Sequence, residues 1–381
     1  MLPPENMLNF IRKIFGRRYC FLNIIEVSKI DLTKNYQYLR YLNKNLQIAP
    51  VLKSNAYGHG LLQVAKVVAE FNPPFICVDS LHEAYHLYKN NIKTPILIMG
   101  YINPYNLKVK KLPFSYAVYS LDYLEKIHRY QPQAEIHLKI DSGMHRMGIY
   151  IDELNMFLEE ARKLPGLKVA GLMSHLATIN DPLFSMQLKN FQSAKEIVEK
   201  FGFKPSMIHL GASEAILNSS IRNEVSKVSN IVRVGKALYG YSLTISDSPL
   251  KPVLTLKTKI AQIKKLKKGD SVGYDGTFSA KKNMVIAVLP IGYFDGIDRR
   301  LSNKGSVTVN GVRCKIIGRV SMNVTVVDIS KVDQPSVGQE VIVYANNPKC
   351  QNSILNTAIL CDTIPHEILV HLAESTTRVI V

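Results

Sequence analysis

The chain has 381 residues, 46% of them hydrophobic and 20% charged, which is ample for a packed core and excludes a mainly disordered protein. No apolar run approaches the ~20 residues that span a bilayer, so neither a transmembrane helix nor stable membrane insertion is expected. The net charge is +18, from 48 basic and 30 acidic residues, which would suit an anionic partner but is better read as a basic background; charge alone predicts no nucleic-acid partner.

From the N-terminus, Leu8, Ile11 and Phe15 recur at helical spacing beside Arg12, Lys13, Arg17 and Arg18. They suggest a short docked helix in preference to one on a membrane surface. Glu5, Arg12 and Lys13 interrupt any signal-peptide core, so residues 1–22 read as an extension. Eight β-rich runs then alternate with helical patterns: Ala49–Leu52, Phe75–Val78, Pro95–Met99, Tyr116–Tyr119, Ile136–Ile140, Ala170–Met173, Met207–Leu210 and Val232–Leu238. The intervening segments show apolar sets such as Leu61, Ala65, Val68 and Ala69, or Phe191, Ala194, Ile197 and Val198. That count predicts a TIM-like (β/α)₈ barrel over residues 23–249. From 250 to 381 alternation dominates, at Val253–Ile260, Val285–Leu289, Val307–Val309, Val324–Ile329 and Val341–Tyr344. Turns at Lys268–Asp270, Asn310–Gly311 and Gly338 punctuate it, predicting a mainly antiparallel β-domain. The lysines between Lys257 and Lys268 lack interleaved aromatics and read as a solvated strand face. The five cysteines form no C-x-x-C pair and an odd count, which fits a reducing cytoplasm; no metal site is expected.

Six segments carry chemistry. Lys53 ends an apolar strand before the glycine-bearing turn Tyr57-Gly58-His59-Gly60. In a barrel, catalytic groups sit at strand C-termini, and a desolvated lysine amine can form a Schiff base, although a structural lysine would be as common by physics alone. Lys139-Ile140-Asp141-Ser142-Gly143-Met144-His145-Arg146 combines cations, a carboxylate and a glycine at a strand end, suiting an anion-handling loop or a structural ion pair. Ser174-His175 and His209-Leu210-Gly211-Ala212-Ser213 are further strand ends. In Arg233-Val234-Gly235-Lys236, glycine would let backbone N–H groups approach a phosphate. Gly273-Tyr274-Asp275-Gly276 lies in the β-domain. Each is weak alone; their sharing of strand ends makes them a set.

In this order the segments resemble the bacterial alanine racemases, from about Ile25 to Arg378. The resemblance implies a barrel followed by a β-domain, pyridoxal 5'-phosphate as cofactor, and a cytoplasmic homodimer that supplies D-alanine for peptidoglycan by two-base racemisation of an aldimine. By match, Lys53 is the Schiff-base lysine and Tyr274, from the partner subunit, the second base. Arg233 faces the pyridine nitrogen, and His175 and His209 join it to that tyrosine. Tyr57, Ser213, Gly235, Lys236 and His366 hold the phosphate. Arg146 and the partner-borne Met322 meet the substrate carboxylate, and Lys139 is the lysine often carbamylated. Three positions depart from the family: Asn323 replaces an aspartate, His366 a tyrosine, and His145 a small or varied residue. A serine or broad-specificity racemase is the nearest alternative. A basic amino-acid decarboxylase lacks support, since its glycine-rich phosphate loop and C-terminal cysteine-aspartate motif find no match. A non-catalytic pyridoxal-phosphate-binding protein would lack the β-domain and Tyr274.

Overall fold

The computed structural model describes residues 21–242 and 249–381, so the N-terminal helix reading and most of the extension lie outside the described residues. The chain divides into two compact units, one of residues 27–253 with 380–381, the other of residues 254–379 with the segment up to Glu26.

The first strand, β1 (Ile24–Val27), belongs to a six-stranded sheet of the second unit rather than to the barrel, so residues 23–26 fall outside the barrel span expected from sequence. Its I-I-E-V alternation buries Ile25 and Val27. Eight parallel strands follow: β2 (Gln47–Pro50), β3 (Ile76–Val78), β4 (Ile96–Ile98), β5 (Phe114–Val118), β6 (Glu135–Lys139), β7 (Lys168–Met173), β8 (Met207–His209) and β9 (Ile231–Val234). They pair in the order β2-β9-β8-β7-β6-β5-β4-β3, and a parallel bridge from Val51 to Cys77 brings the two ends together into a nearly closed barrel. All eight expected runs are strands. The last is shorter than read, because a turn begins at Gly235. One connection also differs: β4 leads to β5 through the 3₁₀ turn Pro104–Lys108 instead of an α-helix.

Small, branched and larger apolar residues fill the barrel: Ala49, Val51, Phe75, Cys77, Leu97, Ala117, Met173 and Ile231 pack as one buried cluster. Because side chains alternate along a strand, this cluster fixes which residues above it face inward. Ala49 and Val51 lead to Lys53, Met173 to His175, Met207 to His209, and Ile231 to Arg233.

In the second unit, the six-stranded sheet runs β16-β15-β18-β10-β1-β19 and a three-stranded sheet runs β11-β14-β17. The strands are β10 (Leu254–Lys259), β11 (Gln262–Leu266), β14 (Met284–Leu289), β15 (Ser306–Val309), β16 (Val312–Lys315), β17 (Thr325–Asp328), β18 (Glu340–Tyr344) and β19 (Thr377–Ile380), with β12 (Ser271–Val272) and β13 (Phe278–Ser279) forming a small hairpin. Asn310 and Gly311 both take positive φ between β15 and β16, the backbone of a tight hairpin turn. Lys264, Lys265, Lys267 and Lys268 are exposed along and after β11, while Lys257 pairs with Glu26 at 2.9 Å and Glu340 at 3.1 Å. The cluster is thus mostly a solvated face. Two short helices, Ile354–Leu360 and Pro365–Val370, were not anticipated from the alternation.

One buried amide ties the barrel together. Asn35 donates to the carbonyls of Leu238 at 3.1 Å and Lys251 at 2.8 Å, and accepts from the Lys251 N–H at 2.9 Å. Replacing it with the similarly sized leucine leaves three backbone groups without their partner, so Asn35→Leu should lose about 2–4 kcal/mol of stability. Denaturant unfolding measures this; a midpoint unchanged from wild type would show that these bonds are replaced elsewhere.

Candidate active site

Lys53 opens a turn of inverted hand. Ser54, Asn55 and Ala56 all sit near φ +55°, ψ +50°, and Tyr57 follows at φ 53°. Left-handed helical backbone costs L-residues roughly 1–2 kcal/mol each, so it must be held. Glu83 accepts the Asn55 N–H at 3.3 Å while its other oxygen caps the helix Leu81–Lys89 through Asp79 and Ser80. The Asn55 side chain accepts the Leu61 N–H at 2.7 Å. The buried His59 donates from Nδ1 to the carbonyls of Tyr57 and Ala56 at 2.9 and 3.0 Å, and stacks on Tyr239 at 4.3 Å. The Tyr239 hydroxyl in turn donates to the carbonyl of Val51, just before Lys53.

Arg233 is the second anchor. It is 4% exposed and sits among acceptors. Nη1 donates to His209 Nδ1 at 2.8 Å and to the His209 carbonyl at 2.6 Å. Nη2 donates to the Ser174 carbonyl at 2.5 Å and approaches His175 Nδ1 at 3.4 Å. Burial pulls its pKa down only to about 10, so it remains cationic at neutral pH. Burial, and then Arg233, push His175 down to about 3 and His209 well below its usual value, so both imidazoles are neutral acceptors. Gln187 steadies the His175 segment, donating to the His175 carbonyl at 3.3 Å and accepting from the Ala177 N–H at 2.9 Å.

Beside Arg233 lies an anion cradle. The N–H groups of Gly235 and Lys236 bond to no described residue. Ser213 Oγ accepts the Ala237 N–H at 3.2 Å, leaving its hydrogen to donate outward. A Cβ at Gly235 would lie 2.4 Å from the Tyr57 hydroxyl, so only glycine lets that hydroxyl rest against this backbone. Burial pushes Tyr57 up to about 12, keeping it a neutral donor. The Lys236 ammonium pairs with Glu214. Two open N–H groups, two hydroxyls and nearby cations are a donor set for a phosphate.

The loop after β6 is ordered by one carboxylate. Asp141 accepts the N–H groups of Gly143, Met144 and His145 at 3.0 Å each and that of Arg146 at 3.1 Å. This presents an exposed Arg146 on a fixed backbone. Lys139 is 8% exposed, and burial, with Arg146 and Arg233 nearby, lowers it to about 8. Thus the first unit gathers Lys53, Tyr57, Lys139, Arg146, His175, His209, Ser213, Arg233, Gly235 and Lys236 at and just beyond its strand ends.

The remaining candidates belong to the second unit. Tyr274 is 70% exposed on a short 3₁₀ turn where Gly273, Asp275 and Gly276 take positive φ, and Asp275 pairs with Arg319 at 3.0 Å. Met322 is also exposed, on a loop whose carbonyl accepts the Phe294 N–H at 2.9 Å. His366 is half-buried at the start of the helix Pro365–Val370. Among the described residues no cluster suits a metal ion, and no helix is long and apolar enough to cross a membrane.

Sequence reasoning missed the part that three residues play here. His59 lay inside a segment quoted but was given no role, and Asp141 was read as part of an anion-handling loop or an ion pair, not as the acceptor that orders the loop backbone. His137, whose Nδ1 lies 2.7 Å from His209 Nε2, was absent altogether, although its spacing of two from Lys139 puts both on one strand face.

Family models described as the N-terminal and C-terminal domains of alanine racemase match residues 27–243 and 253–380. The chain belongs to the alanine racemase family. An alanine racemase of Carboxydothermus hydrogenoformans is 32% identical over 93% of this chain and 98% of its own. The crystal structure of the Bacillus anthracis alanine racemase with bound L-Ala-P has a TM-score of 0.86 at 29% identity, covering 96% of each chain. The Bartonella henselae enzyme, with covalently bound pyridoxal phosphate, shares the fold at a TM-score of 0.81 and 24% identity over 95% of this chain and 100% of its own. The resemblance and the fold class expected from sequence are both borne out.

The Asp141 loop has a defined pH response. Burial raises the Asp141 pKa, but the four N–H donors outweigh it and hold it below the ordinary 3.8. A depressed folded pKa means that the stabilisation is full above 3.8 and is lost as pH falls through the folded value. Hydrogen exchange at residues 143–146, corrected for intrinsic rates, should show protection at neutral pH that fades in this acid range. Asp141→Ala should remove that protection at every pH; equal protection in the variant would deny Asp141 this role.

Proposed function

We propose that this protein interconverts L- and D-alanine with pyridoxal phosphate as cofactor, in a cytoplasmic homodimer whose two sites each draw on both chains, and so provides D-alanine for peptidoglycan. The observation that carries the reading is the cationic Arg233, fixed by neutral acceptors beside an open N–H cradle on the same barrel face as Lys53. The residues fit the cofactor. Tyr57, Ser213 and the N–H groups of Gly235 and Lys236 would hold its phosphate, and Arg233 would face its pyridine nitrogen as a donor. When bound, pyridoxal phosphate supplies a carbonyl that takes up an amine and a ring that delocalises charge from the α-carbon.

Racemisation needs a proton removed from one face of that carbon and delivered to the other. Two bases on opposite faces do this without moving either. Lys53 serves one face and Tyr274 of the partner subunit the other. Tyr274 and Met322 are both exposed in the single chain, as groups that complete a partner's site would be. His175 turns Nδ1 to Arg233 and so keeps its proton on Nε2, from which it can donate to a phenolate and favour that form of Tyr274. Arg233 keeps its own proton and would offer the ring nitrogen a hydrogen bond without giving that proton up. Arg146 binds the substrate carboxylate with Met322 of the partner subunit close by. Lys139, with a pKa near 8 and three cations around it, is a ready site for a carbamate, whose negative charge would pair with Arg146.

Mixing inactive variants tests both the reaction and its subunit sharing. Lys53→Ala and Tyr274→Phe should each abolish conversion of L-alanine to D-alanine. Their heterodimer should regain up to about half of the wild-type rate per dimer, because one of its two sites is intact. No recovery in isolated heterodimers would mean that each site is built from one chain, and full activity of Lys53→Ala would overturn the racemase assignment.

His366 gives a test of substrate range. Histidine is smaller than the family's tyrosine while still able to donate to a phosphate. An extra methylene's worth of space costs a pocket only ~1–3 kcal/mol of discrimination. We expect alanine to be preferred and serine turned over measurably, with His366→Tyr raising the alanine-to-serine ratio of kcat/KM. An unchanged ratio would show that residue 366 does not set pocket size.

A further inference from the structure

His137 sits on β6, 1% exposed, with Nδ1 at 2.7 Å from His209 Nε2. The direction of this bond is forced by the groups beyond it. Arginine can only donate, so His209 Nδ1, which meets Arg233 Nη1, carries no hydrogen. His209 is fully buried beside a cation and is neutral, so its single proton is on Nε2. That N–H points at His137 Nδ1, which must therefore be bare, and the His137 proton is on Nε2. A run of fixed polarity results: Arg233 donates to His209, and His209 donates to His137.

Without an acceptor at residue 137, the His209 Nε2–H would be a donor stranded in the barrel. The ring would then be free to turn or to exchange tautomer, and an Nδ1–H would collide with the Arg233 donor. The surroundings are shaped for this contact. A Cβ at Gly171 would lie 2.1 Å from His137 Nδ1, so the strand opposite carries glycine where the ring enters. Phe75 meets the His137 ring edge-on at 5.4 Å and the His209 ring at 5.3 Å, closing the apolar side.

We infer that His137 is a positioning residue: it sets the tautomer of His209 and thereby holds the Arg233 guanidinium in place. The consequence for turnover rests on the reading that Arg233 faces the cofactor; the tautomer does not.

The test combines ¹⁵N-histidine NMR of the holoenzyme with kinetics. In the wild type, the signals removed by His137→Asn and by His209→Gln should each report Nε2 protonated and Nδ1 bare. His137→Asn places an acceptor oxygen near the lost Nδ1 and should keep the His209 tautomer, with kcat within about threefold. His137→Phe keeps ring volume but no acceptor. It should disturb the His209 signals and lower kcat roughly ten- to a hundredfold, with KM for alanine little changed, because Arg233 does not touch the substrate. The inference is overturned by an Nδ1-protonated His209 in the wild type, or by phenylalanine and asparagine variants that are alike in tautomer and rate. Should His137→Phe fail to fold, the asparagine variant decides, since loss of the His209 tautomer there overturns the inference as well. The predicted tautomers in a protein that racemises no amino acid would instead count against the proposed function alone.

Discussion

A buried positive charge organises the barrel's upper end. Taking a guanidinium out of water is expensive unless its N–H groups meet acceptors. Arg233 meets them in the carbonyls of Ser174 and His209 and the imidazoles of His175 and His209. Among the described residues no carboxylate pairs with it, so the charge stays available to whatever anion or ring nitrogen comes near. Burial, and then the same field, keeps the histidines neutral, because a second cation in this dry site beside the first would be doubly penalised. Burial and one cation together decide the protonation of the neighbouring imidazoles, and a site full of basic side chains behaves as a set of fixed donors and acceptors.

Rigidity around this charge comes from unusual backbone as much as from side chains. The turn that bears Lys53 runs against the hand natural to L-residues, and Glu83, Asn55 and His59 hold it there. Asp141 does the same for the loop of Arg146, gathering four amides around one carboxylate. In both places a buried polar side chain binds backbone rather than ligand. Such groups fix where a lysine amine or an arginine fork can reach, which is what orientation-dependent proton transfer requires.

Much of this is legible in the amino-acid sequence. Eight apolar runs at regular spacing define a parallel barrel, and period-two alternation inside each run says which residues face inward. Lys53, His175 and His209 are recognisable because they lie at or just past the ends of such runs, and Arg233 because it comes just before Gly235 in the last one. What escaped has physical reasons. The four-residue strand Ile24–Val27 has an ordinary local pattern, and its partners β10 and β19 lie far along the chain, so nothing local assigns it to the second unit. The helices Ile354–Leu360 and Pro365–Val370 are shorter than the windows over which helical periodicity shows. The left-handed turn after Lys53 has only one flanking glycine pair to announce it, and four consecutive non-glycine residues at positive φ are foreseen by no local preference. His137 gives no such signal because it lies one step deeper in the barrel than the strand ends that carry the other groups.

The placement of β1 has a consequence for how the protein is made. It lies between β10 and β19, whose residues are added to the growing chain more than two hundred positions later. The barrel strands, which need only their own neighbours, can collapse as they leave the ribosome. β1, synthesised ahead of them, stays unpaired on both edges throughout that time, with Ile25 and Val27 open to the wrong partner. Its short length, and the charge of Glu26 within it, limit that hazard. The earliest of the described strands to be translated is thus among the last to find its hydrogen bonds.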